Sequence, residues 1–332
     1  MTTKQIHVAV LMGGLSSERE VSLRSGAACA AALEGQGYRV TRLDVGRDVA
    51  AKLAELKPDV CFNALHGRYG EDGCIQGLLE TMNIPYTHSG VLASALAMHK
   101  ERSKPVLAAA GVPVVEYWAG RREEVEADPK AVDAALPGFE GPFFVKPSVG
   151  GSSVGVRKVE RRDGLAEAVR FALRFDDAVL VERGIAGREL ECAVLGGLRL
   201  EASAVGEIVP GKDFYDYEDK YHSDAAKLFA PADLPEATSD RLRGLAVEAF
   251  RALGGTGMAR VDFLLEGDDR PYVNEINTLP GFTAISMYPK LWQVSGVPLP
   301  ELVSRLVELA LERHRERRRL DEGIKDFLAA LG

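Results

Sequence analysis

The chain is 332 residues long, enough for two or three compact units, and its 46% hydrophobic and 27% charged residues predict an ordered core. A net charge of −8 argues against a nucleic-acid surface, which needs a basic stripe, but leaves room for a local basic pocket that takes small anions. No apolar run approaches the ~20 residues of a membrane helix, and the run Ile6–Met12, preceded by Lys4 alone, lacks the basic flank and cleavage site of a signal peptide.

In chain order, the first hundred or so residues alternate strand and helix. Ile6–Met12 reads as a buried strand and Val21–Leu33 as an alanine-rich helix. Tyr38–Leu43, Val60–Ala64 and Ile84–Tyr86 are further strands, with helices at Val49–Leu56 and Ile75–Met82 between them, which is the pattern of a parallel sheet. Arg102–Ala110 is helical until Gly111-Val112-Pro113 breaks it, and Gly120–Lys130 begins a surface helix. Pro142–Pro147 is a strand, followed by the glycine–serine segment Ser148–Gly155 and a strand toward Val159. Leu165–Phe175 is a helix, Val179–Glu182 a strand, and Arg188–Val205 favours paired strands. An irregular acidic and aromatic loop, Pro210–Asp224, precedes the amphipathic helix Glu236–Leu253 and a hairpin of Met258–Glu266 with Tyr272–Asn277. The tail Leu302–Leu331 is helical, interrupted by Gly323 and by the charge run Arg313–Arg319, a solvated helix face with a partner contact as the alternative. Cys29, Cys61, Cys74 and Cys192 show no Cys-x-x-Cys spacing, so they read as buried small hydrophobes in a reducing cytoplasm.

The hairpin carries the strongest chemical signal. Side chains alternate along a strand, so Arg260 shares a face with Asp262, and Glu275 with Asn277. With Gly267–Arg270 as a four-residue turn, Glu266 lies opposite Pro271, Asp262 faces Glu275 and Arg260 faces Asn277. Two carboxylates across a sheet repel. A divalent cation removes the conflict, and oxygen ligands of this kind suit Mg²⁺ or Mn²⁺ held with nucleotide phosphates. An ordinary solvated strand face is the alternative.

Three loops add to it. Val145-Lys-Pro-Ser-Val-Gly-Gly-Ser-Ser-Val-Gly155 sets Lys146 at a strand end before glycines and serines that can surround phosphate oxygens, although a plain hairpin turn has the same composition. Gly13-Gly-Leu-Ser-Ser-Glu-Arg-Glu20 joins strand to helix and fails the dinucleotide pattern. Ser17 and Glu20 there match a capping box, which leaves Glu18 as either a first-turn carboxylate or a ligand at the carboxyl edge of a parallel sheet. His66, after another strand, sits at the same edge, although a loop histidine of this kind is structural more often than not.

Together these segments resemble the ATP-grasp superfamily and, within it, the D-alanine–D-alanine ligase family. The resemblance runs from about Val8 to Leu309. It is carried by the motifs at 13–23, 65–73 and 145–155, by Phe-Tyr-Asp-Tyr-Glu-Asp-Lys-Tyr at 214–221, by Arg-Val-Asp-Phe at 260–263, and by Asn-Glu-Ile-Asn-Thr-Leu-Pro-Gly-Phe-Thr at 274–283. It implies an α/β and α+β ATP-grasp fold, with an N-terminal parallel-sheet α/β domain (1–100) and two α+β lobes (101–186 and 187–312) enclosing ATP, then a helical tail (313–332). It also implies ligation of two D-alanines through an acyl phosphate, two Mg²⁺ (or Mn²⁺), ATP as co-substrate and a cytoplasmic homodimer. By matching position, Lys100, Lys146 and Ser153 would hold phosphates, joined by Lys220, and Glu182, Arg183, Ile185 and Glu189 would line the adenosine site. Asp262, Glu275 and Asn277 would bind metal, and Arg260 with the Gly281 N–H would form an oxyanion hole. Glu18 would take the first ammonium group with His66 and Tyr215 nearby, Ser286 and Met287 would lie by the second carboxylate, and Glu18, Ser152 and Tyr221 would form a hydrogen-bonded set. Glu182-Arg183-Gly184 departs from the Glu-Lys-aromatic run of relatives, and the tail beyond about His314 exceeds the family length. A D-alanine–D-lactate or D-alanine–D-serine ligase is the rival within the family, disfavoured by Tyr221. A non-catalytic nucleotide-binding regulator is the rival outside it, disfavoured by the intact Arg260, Asp262, Glu275 and Asn277.

Overall fold

A computed structural model describes residues 6–151, 153–211 and 227–331, and their strands form three sheets. β1 (His7–Gly13), buried at every position, is central in a three-stranded parallel sheet between β2 (Arg39–Val45) and β3 (Val60–Asn63). A strand covered on both faces must be apolar throughout, hence a continuous run there and no alternation. Helices α1 (Arg19–Gly35), α2 (Val49–Leu56) and α3 (Cys74–Thr81) accompany this sheet. Ile84–Tyr86 adds to it only the parallel bridge Cys61–Tyr86.

The capping box expected at Ser17 and Glu20 does not form. Glu18 is the N-cap of α1, with no side-chain cap bond. The local hydroxyl comes from Ser16, whose Oγ accepts the Glu18 N–H at 3.2 Å and donates to the His66 carbonyl at 2.6 Å. A contact to the neighbouring loop thus replaces a contact within the helix.

Helices α4 (Val91–Met98) and α5 (Lys100–Ala109) lead to a four-stranded antiparallel sheet in the order β4 (Tyr117–Arg121), β7 (Ala178–Arg183), β5 (Phe143–Pro147), β6 (Arg157–Val159). The helix expected from Gly120 begins at Arg122, as α6 (Arg122–Ala127), because Gly120 and Arg121 complete β4. With α7 (Leu165–Ala172), this sheet encloses its own core of Phe143, Val145, Leu165, Val169, Val179 and Val181. The third sheet is five-stranded and antiparallel, in the order β10 (Lys227–Phe229), β9 (Leu200–Val209), β8 (Gly187–Gly196), β11 (Gly257–Glu266), β12 (Arg270–Asn277). Helices α8 (Glu236–Ala252) and α9 (Met287–Val294) pack on it.

Val8, Val10 and Phe62 of the parallel sheet share a core with Ala193, Leu195, Met258, Tyr288 and Leu302. The N-terminal layer and the last lobe therefore fold against each other. The C-terminal helix α10 (Leu299–Leu331) is 33 residues long and runs unbroken through Arg313–Arg319 and Gly323, contrary to the interruptions expected. A single exposed glycine costs a helix about 1 kcal/mol relative to alanine, too little to stop it. Nor is the charge run wholly solvated. Arg313 is half-buried and donates to the carbonyls of Tyr86 and His88 and to Thr256 Oγ1. Beyond it, Leu320, Ile324, Phe327, Leu328 and Leu331 are exposed. Cys29, Cys61 and Cys192 are buried as expected, whereas Cys74, at the start of α3, is exposed. Among the described residues no helix is long and apolar enough to cross a membrane.

Candidate active site

The β11–β12 hairpin brings Asp262 opposite Glu275 and Arg260 opposite Asn277, as the spacing predicts, but by a different route. Glu266 pairs with Arg270, so the turn is one residue shorter than expected, and a bulge between Asp262 and Phe263 restores the count. The extra residue on β12 is Asn274. A bulge re-aims side chains, and here the consecutive Asn274 and Glu275 both meet lysines: Lys146 Nζ donates to Asn274 Oδ1 at 3.2 Å, and Lys100 Nζ lies 3.3 Å from Glu275 Oε2.

On the other side of β11, Asp262 pairs with Glu191 of β8. Glu191, Asp262 and Glu275 thus form a row of carboxylates across three adjacent strands. Sequence reasoning missed Glu191, although it shares a strand face with Glu189. Arg260 compensates part of this charge: Nε lies 2.6 Å from Asp262 Oδ1 and 3.0 Å from Glu191 Oε1, and Nη2 is 2.6 Å from Asp262 Oδ2. Burial opposes the Arg260 charge, but Asp262, Glu191 and Glu275 outweigh it and hold the guanidinium pKa well above its usual value. Asn277 Oδ1 accepts the Leu279 N–H at 2.8 Å. Among the described residues no three His, Cys, Asp or Glu side chains are spaced to hold a metal by themselves.

Facing the hairpin is the glycine–serine loop. Lys100, at the first turn of α5, donates to the Gly150 carbonyl at 2.8 Å, and its backbone N–H to the Ser148 carbonyl at 3.0 Å. Ser153 lies in this loop with φ +59°. Lys146 Nζ, at the end of β5, is 2.7 Å from Glu182 Oε2, and Lys104 Nζ is 3.0 Å from Glu182 Oε1. Burial alone would raise the Glu182 carboxyl, but Lys104 and Lys146 hold it below the usual range. Arg183 turns away from this cluster to Glu266 at 3.0 Å and Tyr272 Oη at 3.3 Å, tying β7 to the hairpin. Ile185 lies between β7 and β8, and Glu189 on β8 pairs with Leu264 and Ile208.

The third wall comes from the N-terminal layer. A Cβ on Gly67 would lie 2.6 Å from Glu18 Oε2, and one on Gly151 3.8 Å from the same oxygen, so Glu18 sits between the 65–73 loop and the glycine–serine loop. Gly67, at φ +68°, admits that approach. His66 Nε2 is 3.1 Å from Ser25 Oγ and Nδ1 is 3.5 Å from Glu71 Oε1. Ser25 Oγ in turn accepts the Phe282 N–H at 3.2 Å, which joins His66 to the segment holding Gly281. A Cβ on Gly281 would approach Ser286 Oγ to 2.8 Å and Ser25 Oγ to 3.8 Å. Ser25 was not expected here, but it lies one helical turn from Ser22 in the 13–23 motif region, on the buried face of α1. The Met287 side chain is packed in the core, so any contact with substrate there runs through its backbone or through Ser286. Ser152, Tyr215, Lys220 and Tyr221 lie outside the described residues, as does most of the Pro210–Asp224 loop.

A parallel α/β layer and two antiparallel lobes, with Lys146 of one lobe facing an acid-lined hairpin of the other, make this an ATP-grasp fold. The family described as D-ala D-ala ligase C-terminus matches residues 106–308, and that described as D-ala D-ala ligase N-terminus matches residues 45–89. The chain is 46% identical to a D-alanine–D-alanine ligase of Solibacter usitatus, over 94% of this chain and 98% of that protein. It is 50% identical to one of Methylocella silvestris, over 91% and 97%. Among solved structures, the D-alanine–D-alanine ligase of Coxiella burnetii superposes with a TM-score of 0.83 at 33% identity, covering 98% of this chain and 99% of that one. The VanG D-Ala:D-Ser ligase of Enterococcus faecalis gives 0.80 at 30%, covering 92% and 99%. The chain belongs to the D-alanine–D-alanine ligase family.

Proposed function

We propose that this chain uses ATP to join two D-alanines into D-alanyl-D-alanine for peptidoglycan precursors, in the cytoplasm, where ATP is supplied. The observation that carries the reading is the carboxylate row Glu191, Asp262, Glu275 beside Lys100 of α5 and Lys146 of the four-stranded lobe. Acids on one wall and ammonium groups on the other suit a metal–phosphate layer between them. Asp262, Glu275 and Asn277 would hold Mg²⁺ or Mn²⁺, which would supply positive charge to offset that of the phosphates.

In this reading Glu18 receives the ammonium of the first D-alanine, and His66, held by Ser25 and Glu71, closes that side. The substrate carboxylate attacks the γ-phosphorus, the bond to the ADP oxygen breaks, and an acyl phosphate forms. The amine of the second D-alanine, having lost a proton, attacks the acyl carbon, and inorganic phosphate leaves. Between these events a tetrahedral oxyanion needs donors. Arg260 spends Nε and Nη2 on carboxylates, leaving Nη1 outside those bonds among the described residues, and with the Gly281 N–H it would serve. Ser286 stands beside Gly281 for the second carboxylate. Glu182 Oε1, buried and without a hydrogen-bond donor, is a fitting acceptor for the 6-amino group of adenine.

Phosphate release with ATP, Mg²⁺ and a panel of D-alanine, D-serine, D-lactate and L-amino acids tests this. D-alanine alone should support turnover, with one phosphate per dipeptide. Preferred use of D-serine or D-lactate as second substrate would move the chain to the depsipeptide or D-serine branch, and no turnover on any would leave a regulator. Light scattering on the same samples reads the homodimer that the resemblance implies.

A further inference from the structure

Lys104 lies on α5 one turn beyond Lys100, on the same helix face. It is 1% exposed, one of the largest fully buried side chains described. Its Nζ is 3.0 Å from Glu182 Oε1, and the Tyr117 ring lies 5.5 Å away. Burial pulls its pKa down, with Glu182 opposing. Burying an ion pair is no efficient way to stabilise a fold, because apolar residues of the same volume do as well or better. The pair therefore calls for another reason. Neither Lys104 Nζ nor Glu182 Oε1 has a hydrogen-bond partner with good geometry, so at 3.0 Å the contact between them is chiefly Coulombic.

The other carboxylate oxygen is held by Lys146, which also donates to Asn274. Lys146 thus has competing partners once phosphate enters the site. If it turned to phosphate with no second cation nearby, Glu182 would be a buried carboxylate facing the base alone. It would then protonate or rotate, and its acceptor would be lost. We propose that Lys104 is a positioning residue of the nucleotide site: it keeps Glu182 charged and fixed while Lys146 engages phosphate, so that Oε1 stays aimed at the 6-amino group of the base. This rests on the nucleotide reading given above.

Lys104→Met keeps the length and removes the charge. ATP should then bind worse, with KM raised about tenfold or more, the scale of one hydrogen bond to a charged group. The kcat should stay within about threefold, and the KM for D-alanine should not move. Inosine triphosphate, with an oxo group in place of the amine, should be little affected, so the ATP-to-ITP preference narrows. In a Glu182→Gln background, Lys104→Met should add nothing further. An unchanged ATP KM and ATP-to-ITP ratio in folded Lys104→Met would overturn the proposal, as would a further loss in the Glu182→Gln background. Should the single variant fail to fold, the Lys104→Met/Glu182→Gln protein, with a neutral buried pair, decides by comparison with Glu182→Gln alone. If the parent itself releases no phosphate from ATP with D-alanine, the nucleotide reading falls first. A working parent with an unaffected variant removes only Lys104.

Discussion

Glu275 sits where two demands meet. It faces Asp262 across the sheet, which destabilises both carboxylates, and it touches Lys100, which offsets part of that cost. Glu275→Gln removes a metal ligand and the repulsion together. Turnover should fall by about 100-fold or more at saturating Mg²⁺, a loss of roughly 3 kcal/mol of transition-state stabilisation. The melting temperature should hold, since a partly exposed ion pair contributes at most about 1 kcal/mol. Near-parental phosphate release with a lowered melting point would reverse the assignment and make Glu275 a structural partner of Lys100.

Among the elements, α10 shows two regimes along one helix. Up to Ala310 it is packed by Leu302, Val303, Leu306 and Val307, and Arg313 closes that stretch with bonds to Tyr86, His88 and Thr256. Past Arg317, which pairs with Glu80, every large side chain is exposed. Truncation after Arg319 should therefore change the melting temperature little. Arg313→Lys should lower stability by about 1–3 kcal/mol, because one ammonium cannot reach acceptors spread around a planar fork and buried carbonyls are left unpaired. Thermal denaturation of the two variants compares them directly, and a larger loss from truncation would mean that the exposed stripe is packed in solution.

For the molecule as a whole, the junction between the parallel layer and the last lobe should weaken as pH falls. His88 is fully buried there, edge-on to Phe62 at 5.5 Å between ring centres, with Thr87 Oγ1 at 2.5 Å. Burial lowers its pKa to about 3, against a partial rise from the bond to Thr87, and Arg313 and His66 depress it further. The folded pKa lies below the unfolded value of about 6.5. Above pH 6.5 both states hold neutral His88 and it costs nothing. Between pH 6.5 and about 3 the unfolded state binds the proton and the folded state does not, so stability falls by roughly 1.4 kcal/mol per pH unit from this group. His88→Asn, tolerated at φ +75°, should lose some stability at pH 8 and show a flatter decline from pH 7 to 5. Parallel melting curves for parent and variant over that range would refute the assignment.

Much of this was readable from spacing. Apolar runs and breaker residues placed β1, α1 and the β11–β12 hairpin, because strand and helix periods are local properties. Alternation on the hairpin puts Asp262 opposite Glu275 and Arg260 opposite Asn277, and the Asn274 bulge offsets a turn one residue shorter than the spacing predicts. Other features needed the folded chain. The Asn274 bulge depends on how β12 meets β11, the pairing of Glu191 with Asp262 on strands distant in sequence, and the Lys104–Glu182 contact on the packing of α5 under β7. Ser25 reaches His66 and Phe282 only because α1 lies against the last lobe. A one-dimensional pattern states which face a residue takes on its own element. Which foreign side chain meets that face is decided by register and by the shared core, and those exist only once distant segments have come together.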